Sequence, residues 1–448
     1  MSAEPDLRPK ALPSLRTRAI QGTLMTLGGV GFGHVLRLVS NLLLARLLFP
    51  EAFGLMAIVN MFAQGLNMFS DIGIRPAIVQ HPRGGEETFL NTAWTIQIIR
   101  GIGLALCLSI LAWPISKAYG EPQLLSLLPV VGINSALFAL TSTAVAQLNR
   151  QLILGRQILI DLTGQVVSLV TMVLFAWVYP SVWALVFGST ASAIVTVALS
   201  HLALPGIRHR LCWDEQSRKE LFGFGRWITM STAFTFLQLQ ADRLILSTFT
   251  SMALIGVYSV ASNLSQVAVM VGGKLTGSVL FPLYATWGRE DKGRLGRQLY
   301  RARIRVLALF LIPPCLLVAL GPPIIDLLYD DRYREAGAML SLLSLAVVPQ
   351  VITMTADPVL LAVGDSYRHM VLTIARGFLS LVCMAIGGYL DGVHGLIIGS
   401  IVANLAQYPF LVRGLRAHGC WMPWLDLGAV AYAALWIGLG TLLSMLVL

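Results

Sequence analysis

The chain is poor in charge. Only 12% of its 448 residues are Asp, Glu, Lys or Arg, where an ordinary soluble domain carries about 25%. Polar linkers are missing too. A soluble enzyme of this length would divide into two or three domains joined by polar segments, whereas here apolar runs recur almost without pause. Cysteine is scarce, and Cys107, Cys315 and Cys383 lie inside apolar runs with no metal-ligand spacing around them. They read as core filler, and no metal site is expected. A cleaved leader is not expected either, because the run after the first 22 residues is too long for a signal-peptide core and lacks an A-x-A-like site. The formal charge of +10 is spread over alternate short loops and forms no single patch, which argues against nucleic acid as a partner.

What is present is hydrophobic length, at 56% of all residues. Two apolar runs, 24–49 and 52–72, are each long enough to cross a bilayer core that takes about 20 helical residues, and a Pro50–Glu51 turn joins them. Further runs fall near 92–115, 124–147, 159–180, 182–204, 224–249, 252–281, 304–328, 336–361, 370–390, 392–412 and 426–447. The expected fold is an all-α polytopic membrane protein of about 13 spans. Its divisions are a cytoplasmic N-terminal segment (1–22), an N-lobe of spans 1–6 (23–204), a basic cytoplasmic linker (205–226), a C-lobe of spans 7–12 (224–414) and an extra C-terminal span (426–448).

Lys and Arg set the orientation. Alternate connections hold roughly 23 of them, against four (Arg46, Lys117, Arg332 and Arg334) in the others, so the positive-inside rule places the N-terminus in the cytoplasm. The dense inner loops, Pro205–Arg226 and Trp287–Arg305, read first as orientation signals that meet anionic lipid headgroups.

The chain also repeats itself. Phe53-Gly54-Leu55-Met56 recurs as Ile255-Gly256-Val257-Tyr258, with Gln64 and Gln266 ten residues after each glycine, and Trp183–Ser189 is echoed by His394–Ser400. Each half has an even number of spans, so the two six-helix lobes are expected to be related by a parallel pseudo-two-fold axis along the membrane normal.

Several spans carry polar side chains at helical steps of three and four. These are His34, Arg37 and Asn41 in span 1, Asn60, Gln64, Asn67 and Asp71 in span 2, Gln97 and Arg100 in span 3, Ser231, Thr235, Gln238 and Asp242 in span 7, and Ser259, Asn263, Gln266 and Lys274 in span 8. Lipid cannot hydrogen-bond such groups, and an ionised Arg near the bilayer centre costs at least ~2.5–3.5 kcal/mol, so these faces should line a shared polar interior. Interhelical hydrogen bonding is the alternative role for the amides and hydroxyls. Gly28–Gly33 opens a membrane helix and follows no strand, so it reads as close helix packing and not as a nucleotide loop; Gly273–Gly277 reads the same way. Asp161 and Asp357 offer themselves as carriers of coupling protons, but both fall near inner ends and are expected instead to meet water or to pair with Arg156 or Arg376.

With the repeat in place, the sequence resembles the oligosaccharide-lipid and polysaccharide flippase family of the multidrug/oligosaccharidyl-lipid/polysaccharide exporter superfamily. The residues that carry the likeness are Ala45–Leu55, Ala241-Asp242-Arg243-Leu244-Ile245, Gly256-Val257-Tyr258 and Asp71-Ile72-Gly73. The resemblance spans spans 1 to 12 and implies a bacterial inner-membrane protein that moves an isoprenoid-diphosphate-linked oligosaccharide from the cytoplasmic to the periplasmic leaflet. It implies two lobes that rock about a cationic cavity, with no cofactor. Partners would be the lipid-linked oligosaccharide, membrane lipid, and polysaccharide polymerase or export proteins as candidates. The thirteenth span departs from the 12 or 14 common in the family.

A diphosphate offers several anionic oxygens, which Arg forks bind by charge-assisted bonds. Arg37 and Arg100, with Lys274 and Arg243, are therefore the expected headgroup contacts, and the polar stripe the expected sugar contacts. No catalytic residue is expected, because the outer connections, all under about 15 residues, leave little room for a transferase site. An ion-coupled exporter of drugs or organic cations shares the architecture, but it should prefer acidic residues deep in the lobe, where this chain has Arg37.

Overall fold

The computed structural model describes residues 15–447 apart from 151–153, 204–208, 282, 285–286 and 288–291. Every regular element among them is helical, as expected where no water is at hand to satisfy backbone groups. The first half comprises α1 (Leu15–Leu47), α2 (Pro50–Phe69), α3 (Ile74–Gln80), α4 (Glu87–Tyr119), α5 (Leu124–Ala139), α6 (Ala144–Arg150), α7 (Leu154–Val178) and α8 (Trp183–Leu202). The second comprises α9 (Glu215–Leu246), α10 (Met252–Ser265), α11 (Val267–Leu275), α12 (Lys292–Phe310), α13 (Ile312–Leu328), α14 (Glu335–Met354), α15 (Pro358–Ala362), α16 (Ser366–Ala406), α17 (Tyr408–Ala417) and α18 (Pro423–Val447). Among the described residues nine helices are long and apolar enough to cross a membrane, and the chain is a multi-pass membrane protein.

Local chemistry sets the breaks. Pro50 opens α2 at a position where a helix needs no N–H. α5 stops well short of residue 147 because its Thr141-Ser142-Thr143 run bonds the backbone instead. Thr141 Oγ1 donates to the Phe138 carbonyl at 2.7 Å, and Ser142 Oγ accepts from Ala144 N at 3.1 Å. α16 is two helices folded back on each other at Asp391 and Gly392, and the +55° φ of Gly392 is open to glycine at little cost.

The halves meet through α2 and α10, which pack together. A Cβ on Gly54 would stand 1.9 Å from the Met252 carbonyl oxygen, and one on Gly256 would stand 1.9 Å from that of Pro50. The residues thus meet reciprocally, as a two-fold relation between equivalent positions demands. In the second echo each glycine packs within its own half. Gly188 packs on Met172 and Ser168, and Gly399 packs on Cys383.

The same end of the bundle, called here the Pro50 end, carries further contacts between halves. Arg332 Nη2 donates to the Ala45 and Arg46 carbonyls at 3.2 and 3.4 Å, which are among those that the end of α1 leaves without helical partners. Its guanidinium lies 5.1 Å from the Phe49 ring centroid. Phe53 meets Tyr333 edge-on, and Tyr119 Oη lies 3.0 Å from Ser247 Oγ.

The C-terminal helix belongs structurally to the second half. α18 packs on α13, with Ala429 and Ala433 buried. At its start Asp426 accepts from Arg303 at 2.7 Å and from Tyr408 Oη at 2.7 Å, and Arg303 is only 1% exposed.

The glycine readings divide. Gly29 and Gly33 do seat α1 against Ile158 and Gln165 of α7, whereas Gly28 and Gly31 have no described atom within 4 Å of an added Cβ. Gly273 and Gly277 likewise have none. Close packing falls instead to Gly272, whose Cβ would meet Met354 at 2.4 Å, and α11 runs on into a wider π turn over Thr276–Leu280.

Candidate functional site

A cavity of about 390 Å³ opens between α1, α2, α7 and α8 of the first half and α9 and α10 of the second. Six expected residues line it: Arg37, Asn41, Asn60, Arg243, Ser259 and Asn263. α1 aims Arg37 and Asn41 inward one turn apart, and α9 brings Arg243 from the opposite half. Among the described residues no carboxylate lines the cavity. Its remaining polar groups are Gln165 and the hydroxyls of Ser40, Ser168, Ser189 and Ser192. Ser259 is buried, and its hydroxyl has no hydrogen-bond partner among the described residues. Two guanidiniums, four side-chain amides and several hydroxyls can together hold an anion and many neutral acceptors.

The other expected residues are placed elsewhere. Arg100, Gln97, Asn67 and Asp71 share a second pocket of about 350 Å³ with Arg75. Arg100 donates to Ser70 Oγ at 2.9 Å, to the Asn67 carbonyl at 2.8 Å and to Asn67 Oδ1 at 3.2 Å, so it ties α4 to the end of α2. Gln97 Nε2 reaches the Ala139 and Thr141 carbonyls at 2.7 and 3.1 Å, serving carbonyls at the end of α5. Asp71 Oδ1 accepts from Gly73 N at 2.9 Å. Lys274 is exposed on α11, which packs on α1, and it shares with Arg37 the electrostatic neighbourhood of His34.

On the second half, Asp242 accepts from Tyr258 Oη at 2.9 Å and from Arg243 N at 2.8 Å. Gln238 is exposed and Gln266 ends α10. The Ser231 side chain lies outside the described residues. Gln64 accepts from Gln240 Nε2 at 2.7 Å, a bond between the halves. Asp357 pairs with Arg376, as expected, and Arg376 also donates to Gln407. Asp161 shares a small pocket with Arg75 and Gln157, and Arg156 is not among its lining residues.

Some polar residues went unread in the sequence. Gln165 and Ser168 continue the α7 face of Asp161 at helical spacing, but single serines and glutamines are common enough in membrane helices to pass unnoticed. Gln240 falls off the 231-235-238-242 stripe and gave no signal. Asn134 clamps α5 to α8, donating to Ser189 Oγ at 2.9 Å and accepting from Thr190 Oγ1 at 2.8 Å.

The linker between halves is fastened along α4. Of the expected stretch 205–226, residues 205–208 lie outside the described residues. Beyond them the backbone N–H groups of Arg210, Cys212 and Asp214 donate to Asn91 Oδ1, Thr95 Oγ1 and Thr92 Oγ1 at 3.0–3.2 Å. His209 lies 2.7 Å from Ser142 Oγ and stacks on Trp94. Burial, with His201 nearby, pushes its pKa down to about 4. Asp214 caps α9 through Ser217, which holds its carboxyl below the usual range. Arg83 bonds Glu220 of α9 at 3.1 Å.

Comparison with known proteins narrows the identity. The fold is that of an inward-facing multidrug resistance MATE family transporter of the MOP superfamily, with TM-score 0.71 and 13% identity over 86% of this chain and 94% of that one. It is equally that of the lipid II flippase MurJ in an inward closed conformation, with TM-score 0.69 and 14% identity over 93% and 98%. In sequence the chain is 21% identical to the lipopolysaccharide biosynthesis protein WzxC of Escherichia coli K12, over 88% of this chain and 80% of that protein. It is 25% identical to the succinoglycan biosynthesis transport protein ExoT of Rhizobium meliloti 1021, over 69% and 62%. Residues 43–338, more than half of the chain, match the polysaccharide biosynthesis protein family, and the chain belongs to that family.

Proposed function

We propose that this protein is a flippase that carries an isoprenoid-diphosphate-linked oligosaccharide from the cytoplasmic to the periplasmic leaflet of a bacterial inner membrane by alternating access. The observation that carries the reading is the cavity between the halves, lined by Arg37 of the first half and Arg243 of the second together with amides and serines, with no carboxylate among its described lining residues. A diphosphate supplies the anionic oxygens that two guanidinium forks accept, and the amides and hydroxyls suit sugar hydroxyls. The Pro50 end, joined in this conformation, is the periplasmic end by the charge bias, and the N-terminus lies in the cytoplasm. Transport of this kind makes and breaks no covalent bond in the cargo. A cation exporter would need carboxylates where this cavity has arginines. Lipid-linked oligosaccharide and the surrounding lipid are the molecules met directly, and a polymerase or export protein would take the product onward.

Complementation tests the proposal. A flippase-null strain expressing this chain should regain surface glycan, and the same strain should stay bare when Arg37 and Arg243 are both changed to Ala at normal protein level. Recovery of wild-type glycan by that double variant would overturn the cargo assignment.

A further inference from the structure

Arg243 does not stand alone in the cavity wall. Its Nη1 donates to Gln240 Oε1 at 3.2 Å, and Gln240 Nε2 donates in turn to Gln64 Oε1 at 2.7 Å. Gln64 is on α2, in the other half of the molecule. The polarity of this chain is forced. A guanidinium only donates, so the Gln240 carbonyl must face Arg243 and its NH₂ must face away, which leaves Gln64 to present oxygen. Gln240 is 3% exposed, so while the seam between α2 and α9 is closed neither end of its amide can turn to bulk solvent.

Aromatic packing flanks this bond. One turn away, Phe236 packs on Phe69 with ring centroids 5.2 Å apart, and a Cβ on Gly65 would stand 2.9 Å from the Phe236 ring. α2 and α9 are therefore in close register, and parting them there parts Gln64 from Gln240.

We infer that Gln240 is a positioning residue that ties the aim of the Arg243 guanidinium to the closure of the α2–α9 seam. The inference rests on the flippase reading for what Arg243 binds, but not for the relay itself. With the seam closed, Gln240 is held at both ends of its amide and fixes Arg243 toward the cavity. With the seam open, its NH₂ loses Gln64, and the amide is free to rotate and release Arg243. Cargo affinity then falls as the halves separate at this point, and by reciprocity bound cargo favours the closed seam. The device would give up cargo through movement of the halves, with no competing ligand.

Two readouts test it in purified full-length protein in lipid nanodiscs. The first needs no cargo: the rate at which phenylglyoxal modifies Arg243, followed by mass spectrometry, with Arg37 as internal reference. Gln64→Leu and Gln64→Asn touch neither Arg243 nor the cavity lining, yet both should raise the Arg243 rate several-fold and leave Arg37 unchanged. Equal Arg243 rates in wild type, Gln64→Asn and Gln240→Leu would overturn the relay. The second readout is binding of farnesyl diphosphate. Loss of a hydrogen bond to a charged group predicts weakening on the order of ten-fold in Gln240→Leu. Gln64→Leu should have a similar effect, and the double variant should be no worse than either alone. Gln240→Glu gives Arg243 a charged acceptor that needs no second partner to hold its aim, so it should keep Arg243 slow to modify whether residue 64 is Gln or Asn. If wild type fails to bind the diphosphate while the Arg243 rates respond as stated, the cargo reading falls and the relay stands. Full binding by both single variants would remove Gln240 from any role in cargo recognition.

Discussion

Replacing Gly54 by Ala should loosen the Pro50 end of the molecule. The new methyl would stand 1.9 Å from the Met252 carbonyl oxygen, where a carbon and an oxygen normally rest about 3.3 Å apart. The obstacle is backbone, so α2 and α10 must separate by roughly 1.4 Å at this crossing. Overpacking of that kind costs about 1–3 kcal/mol. If the cost falls only on the conformation in which the two helices touch, it converts into roughly a five- to 150-fold shift of the conformational equilibrium away from it. Gly256→Ala meets the Pro50 carbonyl at the same 1.9 Å and should shift the equilibrium by a similar factor. Because one separation relieves both clashes, the double variant should fall well short of the sum. Spin labels at Lys117 and Thr248, both exposed and next to the Tyr119–Ser247 contact between halves, report the distance directly by pulsed electron resonance. An unchanged distance distribution in both single variants would refute the closure assigned to this crossing.

Other outcomes follow from the same structure. Arg37→Ala should abolish export at normal protein level, Arg37→Lys should retain part of it because charge survives without the planar fork, and Arg37→Glu should be inactive, all scored by surface glycan in a flippase-null strain. Asp426→Asn leaves Arg303 buried without its counter-charge and should lower thermal stability by about 3–5 kcal/mol, detectable by thermal unfolding in detergent. A cysteine at Lys219 should be shielded from an impermeant thiol reagent in intact cells and one at Thr248 should react; equal labelling would refute the orientation. Lys219 is exposed, whereas the neighbouring Ser217 is buried against Asp214. Finally, His209 has a folded pKa near 4 against about 6.5 in an unfolded chain. Its neutral form therefore supports the linker above about pH 6.5, and that support is lost as pH falls toward 4. The protection factors of the Arg210–Asp214 amides, with the intrinsic pH dependence of exchange divided out, should fall between pH 7.5 and 5, and His209→Phe should flatten that fall.

The helical framework was legible because lipid leaves the chain one way to satisfy its backbone, so apolar run length and turn residues sufficed for most helices. The break after Ala139 was hidden inside an apolar run, since only the three-hydroxyl cluster at 141–143 marked it. In the site, period alone found Arg37, Asn41, Asn60 and Asn263, because helical spacing fixes which side chains share a face. It could not tell Arg37 from Arg100. Both are arginines on striped helices, but Arg100 meets Ser70 and Asn67 across a gap that no one-dimensional pattern records. Gln240 was invisible for the opposite reason, as its face is defined by α2, far away in sequence.

The stapled linker determines how the halves can travel. Because the Asp214 amide is fastened to Thr92 on the flank of α4 and α9 starts one residue later, the pivot sits at that cap and not midway along a loose tether. A helix running from Glu215 to Leu246 is a lever of about 48 Å at 1.5 Å per residue. Ten degrees of swing about the cap would carry its far end through roughly 8 Å, enough to part the Tyr119–Ser247 contact while the Arg210, Cys212 and Asp214 fastenings stay made. A swing about that cap would thus be geared, small at the fastened end and large at the Pro50 end, with the hydroxyls and amide of Asn91, Thr92 and Thr95 holding its fulcrum.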